Sequence, residues 1–169
     1  LPGCEESHGL LIDGEHRLTF ADYADQSLTV ARALIAAGVE QGDRVSLWLQ
    51  NRWEWPVICL GIWRAGAIAV PINTRLKGIE AADILERTRA KVLLALPSLL
   101  GIDYLRLLHQ ESGAPTEGRP FADLPHLTTL VHLGDGPGTE GGIPWDDFLA
   151  TADTVSPDTV AEREQALQP

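Results

Sequence analysis

The sequence has 169 residues, of which 44% are hydrophobic and 22% charged, and a formal net charge of −11. A chain of this length and composition can bury one sizeable core, so a disordered or fibrous protein is excluded and one globular domain is expected. The negative charge, with basic residues scattered along the chain, disfavours binding to nucleic acid or to an anionic membrane surface.

The first elements along the chain are a hairpin and a helix. Two short apolar stretches, residues 10–12 and 17–20, flank the turn signal Asp-Gly-Glu at 13–15 and predict a small hairpin. Thr19 is placed to cap a helix whose apolar residues recur at helical spacing until Gly38.

Three strands with two intervening helices are predicted next. The strands are expected at residues 45–49, 67–72 and 91–96, and the helices at 52–64 and 78–89. Asn51 and Glu54 have the spacing of a capping box for the first of these helices. The strand at 67–72 is almost entirely apolar, which predicts that both of its faces are covered.

The rest of the chain continues the alternation with longer loops. A helix at 99–110, a strand at 128–133 and a short helix at 145–152 are predicted, with surface loops at 111–125 and 134–142. Residues 1–153 are therefore assigned to one α/β subdomain, and the polar residues 154–169 to a linker or exposed end. Alternating strands and helices predict an α/β fold with a mainly parallel sheet flanked by helices, in which ligands bind at the carboxyl ends of strands.

Compartment and processing signals are few. The longest apolar run, residues 55–63, is too short to span a bilayer, so no membrane span is expected, and no signal peptide is expected either. Cys4 and Cys59 lie far apart without ligand spacing, so free thiols in a reducing cytoplasm are expected instead of a disulfide or a zinc site. Methionine is absent even at position 1, which favours a piece of a longer protein.

Few residues suggest chemistry by themselves. The glycine-rich run GDGPGTEGG at 134–142 is a poor phosphate loop, because Asp135 and Glu140 would repel phosphate and Pro137 lacks an amide donor; a flexible acidic turn is expected. The five histidines lack ligand spacing. Tryptophans crowd one strand and its following helix, where a packed core is favoured over an acyl pocket: Trp48, Trp53, Trp55 and Trp63.

Motifs in the first half of the chain carry a family resemblance. In order they read LTFADYA (18–24), GVEQGDRVSLWLQN (38–51), WRAGAIAVPINTRL (63–76) and ILERTRAKVLLA (84–95). This series resembles the opening of the adenylate-forming enzymes, and most of all the AMP-forming acyl-CoA synthetases. The resemblance implies part of that family's large N-terminal domain. It also implies a reaction in which a fatty or aromatic acid attacks the α-phosphate of ATP, with Mg²⁺ screening the phosphates, before the thiol of coenzyme A takes the acyl group.

One binding residue is implied by this resemblance. The segment Asn-Thr-Arg-Leu at 73–76 matches a family pattern, N-x-R-L, whose arginine contacts a phosphate of coenzyme A, and here that arginine is Arg75. A guanidinium suits the role because its fork can pair two phosphate oxygens. The alternative is a surface arginine paired with a nearby acid. Lys77 is a weaker companion, and Asn73 is expected to fix the turn at the strand end.

The family's catalytic equipment is not in this sequence. No [ST]-G-T-T-G-x-P-K phosphate loop occurs, so no catalytic or metal-binding residue is assigned. The chain is interpreted as the N-terminal fragment of a synthetase, inactive alone and without bound cofactors. Alternatives are an adenylation domain that loads a carrier-protein thiol, a luciferase-like oxidase, or a non-catalytic α/β module that self-associates through exposed apolar faces. The N-x-R-L segment favours free coenzyme A.

Overall fold

A computed structural model of the chain describes residues 11–13, 16–134 and 141–167. The strands are β1 (Leu11–Asp13), β2 (His16–Leu18), β3 (Arg44–Trp48), β4 (Ile68–Pro71), β5 (Val92–Ala95), β6 (Ser98–Leu99), β7 (Ile102–Asp103), β8 (Thr129–His132) and β9 (Gly142–Pro144). The helices are α1 (Phe20–Ala36), α2 (Glu54–Arg64), α3 (Gly78–Thr88), α4 (Tyr104–Ser112), α5 (Trp145–Ala150) and α6 (Pro157–Ala166), with a 3₁₀ turn at Thr151–Thr154.

The central sheet has five strands in the order β4-β3-β5-β8-β9, and every neighbouring pair is parallel. The chain passes from β3 through α2 to β4 on one side, and then through α3 to β5 on the other side of β3. The strand order thus reverses at β3, which makes the carboxyl ends of β3 and its neighbours the expected place for a ligand. The predicted α/β fold with a mainly parallel sheet is confirmed.

The sheet separates two layers of helices because successive strand side chains point to opposite faces. Val45 and Leu47 belong to the core with α1, α2, α5 and α6. Trp48 and Leu93 belong to the core with α3 and α4. Each face of the central strands is therefore buried, which explains their continuous apolar sequence.

The first helix begins as predicted. The Thr19 hydroxyl accepts the Asp22 amide hydrogen at 3.1 Å, and the Thr19 amide donates to the Asp22 carboxylate at 2.9 Å. These hydrogen bonds from Thr19, the backbone bond first, lower the pKa of Asp22 below its usual value. The reciprocal bonds satisfy two amide donors that have no partner inside the helix.

The strand β4 is less covered than its sequence predicts. It lies at the edge of the sheet, and Ile68 is 52% exposed. The Ile68 amide donates to the carbonyl of Asp43, just before β3, and the Ile72 amide to that of Leu47 in β3. The backbone amide positions of Ala69 and Pro71 therefore point to the open edge of the sheet. Proline is tolerated there because an edge position needs no amide donor. An apolar run does not by itself distinguish an edge strand from a central one.

Two predicted helix starts are wrong. The capping box at the start of α2 does not form, since α2 begins at Glu54 and the Glu54 carboxylate instead accepts two hydrogen bonds from Arg52. Residues 99–103, predicted as the start of a helix at 99–110, instead belong to the hairpin β6–β7, and α4 starts after it with Asp103 as its N-cap.

The remaining differences concern burial. Trp63, expected in the core, is 54% exposed. Phe121 and Leu124, in the predicted surface loop 111–125, are buried. The segment expected to be a linker or exposed end contains α6, which packs on α1 and α2, while the boundary at residue 153 stays a prediction. Most of the acidic turn, residues 135–140, lies outside the described residues, and so does Cys4.

Candidate functional site

The loop that follows β4 is held in place by two aromatic side chains from neighbouring elements. Trp48, the last residue of β3, donates its indole N–H to the carbonyl of Asn73 at 3.2 Å. Tyr104, the first residue of α4, donates its hydroxyl to the carbonyl of Thr74 at 2.7 Å. Both donor side chains are buried, so water competes only weakly for these hydrogen bonds and the loop backbone is held against the core.

The same two aromatic rings also contact each other. Their centroids are 4.7 Å apart and the rings are tilted by 48°. Burial raises the pKa of the Tyr104 hydroxyl, so at neutral pH Tyr104 stays protonated and remains a donor. Sequence reasoning placed Trp48 in the core and gave Tyr104 no role. Neither hydrogen bond leaves a local sequence signal, because each joins residues distant along the chain.

Within the loop, Asn73 makes the turn that its sequence predicts. Its side-chain oxygen accepts the amide hydrogen of Arg75 at 2.9 Å, and its carbonyl accepts the amide hydrogen of Leu76 at 3.0 Å. The Arg75 side chain is exposed. Among the described residues, no carboxylate lies within ion-pairing distance of its guanidinium. Arg75 is therefore not ion-paired with an acid among the described residues.

Arg75 stands at a cleft of about 730 Å³ between α3, α4 and the hairpin β6–β7. Its charged lining residues are Arg75, Lys77 and Glu111, and its apolar lining includes Ile79, Leu99, Leu100, Ile102 and Leu107. The cations lie together at the start of α3, where the helix dipole also favours an anion. The cleft is therefore lined by two cations, one carboxylate and a larger number of apolar side chains.

Glycine at position 78 allows the two helices that form the cleft to approach. A Cβ atom on Gly78 would lie 2.5 Å from the carbonyl oxygen of Leu107. The helix is capped by the Glu80 carboxylate, which accepts the amide hydrogen of Lys77 at 2.9 Å. The Lys77 ammonium is not needed for that cap and is available to a ligand.

A second cavity, of about 540 Å³, lies between α1, α2, α5 and the ends of β8 and β9. Arg52 and Glu54 line it as an ion pair in which Glu54 is only 5% exposed. Trp53 also lines it, and this half-buried ring packs against the core shared by α1, α2, α5 and α6. Asp146 and the buried His132 also line this cavity, and neither ring nitrogen of His132 has a hydrogen-bond partner among the described residues.

Membrane-spanning helices and metal-binding clusters are both absent from the described part of the chain. No helix there combines the length and apolar character needed to cross a bilayer. No cluster of three or more histidine, cysteine, aspartate or glutamate side chains is arranged there to hold a metal ion.

Comparison with known proteins decides the family. The family model described as AMP-binding enzyme matches residues 5–162. The chain belongs to the AMP-binding enzyme family. The resemblance drawn from the four motifs is therefore confirmed, and the match extends well beyond residue 95, where the motifs end.

Curated relatives within the AMP-binding family are CoA ligases. The chain is 40% identical over 162 residues to the 3-[(3aS,4S,7aS)-7a-methyl-1,5-dioxo-octahydro-1H-inden-4-yl]propanoyl:CoA ligase of Mycobacterium tuberculosis. The match covers 96% of this chain and 29% of that ligase. It is 32% identical over 126 residues to the 4-hydroxybenzoate–CoA/benzoate–CoA ligase of Rhodopseudomonas palustris, covering 75% of this chain and 21% of that ligase. The chain thus spans less than a third of the length of these relatives.

A solved structure of the family supports the same fold. The crystal structure of the anthranilate CoA ligase AuaEII in complex with anthranoyl-AMP matches with a TM-score of 0.73 and 30% identity. The match covers 93% of this chain and 27% of that one. The sheet and helices described above are thus shared with an adenylate-forming CoA ligase.

Proposed function

We propose that this chain is the N-terminal part of an ATP-dependent acyl-CoA synthetase. The full-length enzyme would activate a carboxylic acid with ATP and Mg²⁺ and transfer the acyl group to coenzyme A. Support comes from the family match and from relatives whose names specify ligation of acids to CoA. The names include bicyclic, aromatic and fatty acids, which supports a carboxylic acid with an apolar body, such as a fatty, aromatic or bicyclic acid, as the substrate class.

The observation that carries the coenzyme proposal is the presentation of Arg75. Its loop is fixed by Trp48 and Tyr104, while its guanidinium is exposed and has no acid partner among the described residues. A guanidinium held in this way binds phosphate with little loss of backbone freedom. Coenzyme A supplies such phosphates, and Lys77 lies beside Arg75 in the same cleft. The relatives, whose names specify CoA, favour free coenzyme A over a carrier-protein thiol.

The test is Arg75→Ala in the full-length ligase. Loss of a charge-assisted hydrogen bond of about 1.5–3 kcal/mol should raise KM for CoA roughly tenfold or more. ATP–pyrophosphate exchange, which does not use CoA, should be unchanged. Arg87→Ala is the matched control, because Arg87 is an exposed arginine on α3 outside the cleft. An unchanged KM for CoA in Arg75→Ala would refute the assignment.

A cytoplasmic location is part of the proposal. Burial raises the pKa of the Cys59 thiol to about 11, and Cys59 is a free cysteine. An unpaired, protonated thiol is typical of a protein from a reducing compartment. ATP and coenzyme A are also available there.

Self-association is the second candidate property, and one surface favours it. Trp63, near the end of α2, and Ile68, the first residue of the edge strand β4, are each more than half exposed. Exposed apolar side chains on a sheet edge promote contact between copies. Light scattering of the chain over a range of concentrations tests this. A mass that stays at one chain, or a larger mass unaffected by Trp63→Ser, would exclude this surface.

A further inference from the structure

The second cavity, between α1, α2 and α5, contains a buried carboxylate whose hydrogen-bonding capacity is only partly used. The Glu54 side chain is 6% exposed, and each of its two oxygens accepts one hydrogen bond from the Arg52 guanidinium. An ionised carboxylate offers about four acceptor positions, so roughly two of those on Glu54 have no donor among the described residues. These positions are available to a ligand that brings N–H groups into the cavity.

The other polar groups of this cavity also favour a donor and a positive charge. Asp146, in the first turn of α5, is a second carboxylate in the lining. His132 lines the cavity with both ring nitrogens unpartnered among the described residues, and a neutral imidazole keeps one nitrogen as an acceptor. The fork of Arg52 is occupied by Glu54, and Glu54 itself lies at the amino end of α2, where an anion would otherwise be attracted. With one engaged cation and two carboxylates, the charged lining disfavours an anionic ligand.

Two tryptophan rings give the cavity a flat aromatic lining. Trp53 stacks with His16 at a centroid distance of 5.3 Å, and Trp145 stacks with Phe148 at 5.9 Å, so each ring is held by a neighbour. Tryptophan faces attract cations and pack well against other flat rings. The cavity volume of about 540 Å³ is within the range for small-molecule sites. The apolar lining is completed by Val30, Val57 and Leu149.

We propose that the second cavity binds a small aromatic cation that carries an amidine or guanidine group. The N–H fork of such a group matches the free acceptor positions of Glu54, Asp146 supplies a further negative charge, and the ring packs against Trp53 and Trp145. A carboxylic acid has the opposite charge, so this cavity is separate from the place where the full-length ligase would bind the acid that it activates. The site goes beyond the proposed function and does not depend on it.

The test is titration of the full-length ligase with benzamidine and, separately, with benzoate, which has nearly the same shape and the opposite charge. Fluorine NMR of protein labelled with fluorotryptophan reports where each compound binds. The resonances of Trp53 and Trp145, assigned by substitution with phenylalanine, should shift with benzamidine at a Kd of about 1 mM, which is ordinary for so small a ligand. Benzoate should leave both resonances unchanged. Trp63 is the internal control, because it is 54% exposed and lies outside the cavity lining.

A pair of neighbouring variants tests the role of charge. Asp146→Asn should raise the Kd for benzamidine about threefold to fivefold, because it removes one partly screened opposite charge. Asp147→Asn is the matched control and should leave the Kd unchanged. Asp147 is the next residue of α5 and is also exposed, but it does not line the cavity.

Three results would overturn the assignment. The first is the absence of benzamidine-dependent shifts at Trp53 and Trp145 in the full-length ligase, which would mean that the cavity is closed to ligands there. The second is a shift of the same resonances by benzoate at equal or lower concentration, which would mark a site for anions. The third is an equal effect of Asp146→Asn and Asp147→Asn. Absence of acid-dependent ATP–pyrophosphate exchange in the wild-type full-length protein would instead refute the proposed function and would leave the result of these titrations intact.

Discussion

The two charges of the Arg52–Glu54 pair are buried to different depths. The Arg52 side chain is 21% exposed and the Glu54 side chain 6%. Removal of Arg52 therefore leaves a carboxylate that is almost fully buried, whereas removal of Glu54 leaves a guanidinium that reaches water. A buried carboxylate without its partner loses both its counter-charge and its solvation, whereas an arginine that reaches water can be solvated again.

We predict that Arg52→Ala destabilises the chain more than Glu54→Ala. The first should cost about 3 kcal/mol of unfolding free energy and the second about 1 kcal/mol, because only the first leaves a charge buried without a partner. Urea denaturation at neutral pH measures both. The double variant should be closer to Glu54→Ala than to the sum of the two. Equal single costs would contradict the asymmetry.

A different ion pair gives a pH-dependent prediction. Burial alone would raise the pKa of Asp43, but hydrogen bonds from the Glu40 amide and the Lys91 ammonium, and the nearby positive charges, lower it below the usual 3.8. A lowered pKa in the folded state means that the stabilisation is fully present above the unfolded pKa and is lost as pH falls through the folded value.

Asp43→Asn should therefore cost about 1 kcal/mol between pH 6 and 8, and progressively less below about pH 4. Urea unfolding at several pH values gives the difference between variant and wild type. Asp83→Asn is the matched control, because Asp83 pairs with Arg87 at 3.4 Å in an exposed site and should cost almost nothing at any pH. A difference that persists at pH 2 would contradict the ionic origin.

For individual residues, the sequence motif predicted that Arg75 follows the end of β4 and that Asn73 shapes the turn there. It did not predict the bonds from Trp48 and Tyr104 that hold the loop. These residues are 25 and 30 positions from their acceptors. Contacts of this range depend on how the strands are ordered in the sheet, and no local pattern encodes that order.

Helices and strands with a clear apolar periodicity or a capping residue were predicted well. Those whose position or type depends on packing against neighbouring elements were not. The helix α1 has both an apolar stripe and a capping residue, and its predicted start and end are close to the observed ones. The edge position of β4 depends on where the chain crosses after α3, which its own apolar sequence does not show. The hairpin β6–β7 was missed because a leucine precedes the glycine of its turn, in place of the usual asparagine or aspartate.

The contact between α1 and α2 rests on the absence of a side chain at position 61. A Cβ atom on Gly61 would lie 2.6 Å from the Cβ of Val30 and 3.0 Å from the carbonyl oxygen of Ser27. Alanine is favoured over glycine in a helix by about 1 kcal/mol, but overpacking of a close helix contact costs up to about 3 kcal/mol. The packing cost should exceed the helical preference.

Gly61→Ala is accordingly expected to lower the unfolding free energy by about 2 kcal/mol, as measured in urea. Trp63→Ala on the same helix serves as the comparison, because Trp63 is 54% exposed and should cost less than about 1 kcal/mol. If Gly61→Ala were as stable as wild type, the two helices would be free to separate and the close contact would not be required.

For the whole molecule, the sequence predicted the class of fold and the family from motifs in its first half. The later part was harder to predict, because α6 is polar and only one of its residues, Val160, is fully buried. Arg163 nevertheless binds the carbonyls of Val39 at 2.7 Å and Ala65 at 3.0 Å, past the ends of α1 and α2. Such bonds to helix ends anchor a polar segment without an apolar stripe.

The final prediction concerns what this chain can do alone. Its cleft offers two cations for a phosphate, but the sequence contains no phosphate-loop motif with its lysine, and the chain spans 29% of the ligase to which it is 40% identical. Stabilisation of the charge that develops during attack on ATP requires several donors placed around the same phosphate.

The 169-residue chain should therefore show no ATP–pyrophosphate exchange above buffer with Mg²⁺ and a panel of aromatic and fatty acids. The full-length enzyme, assayed in parallel, should exchange with at least one of them. Exchange by the short chain would mean that it contains adenylating groups that its cleft and sequence do not reveal.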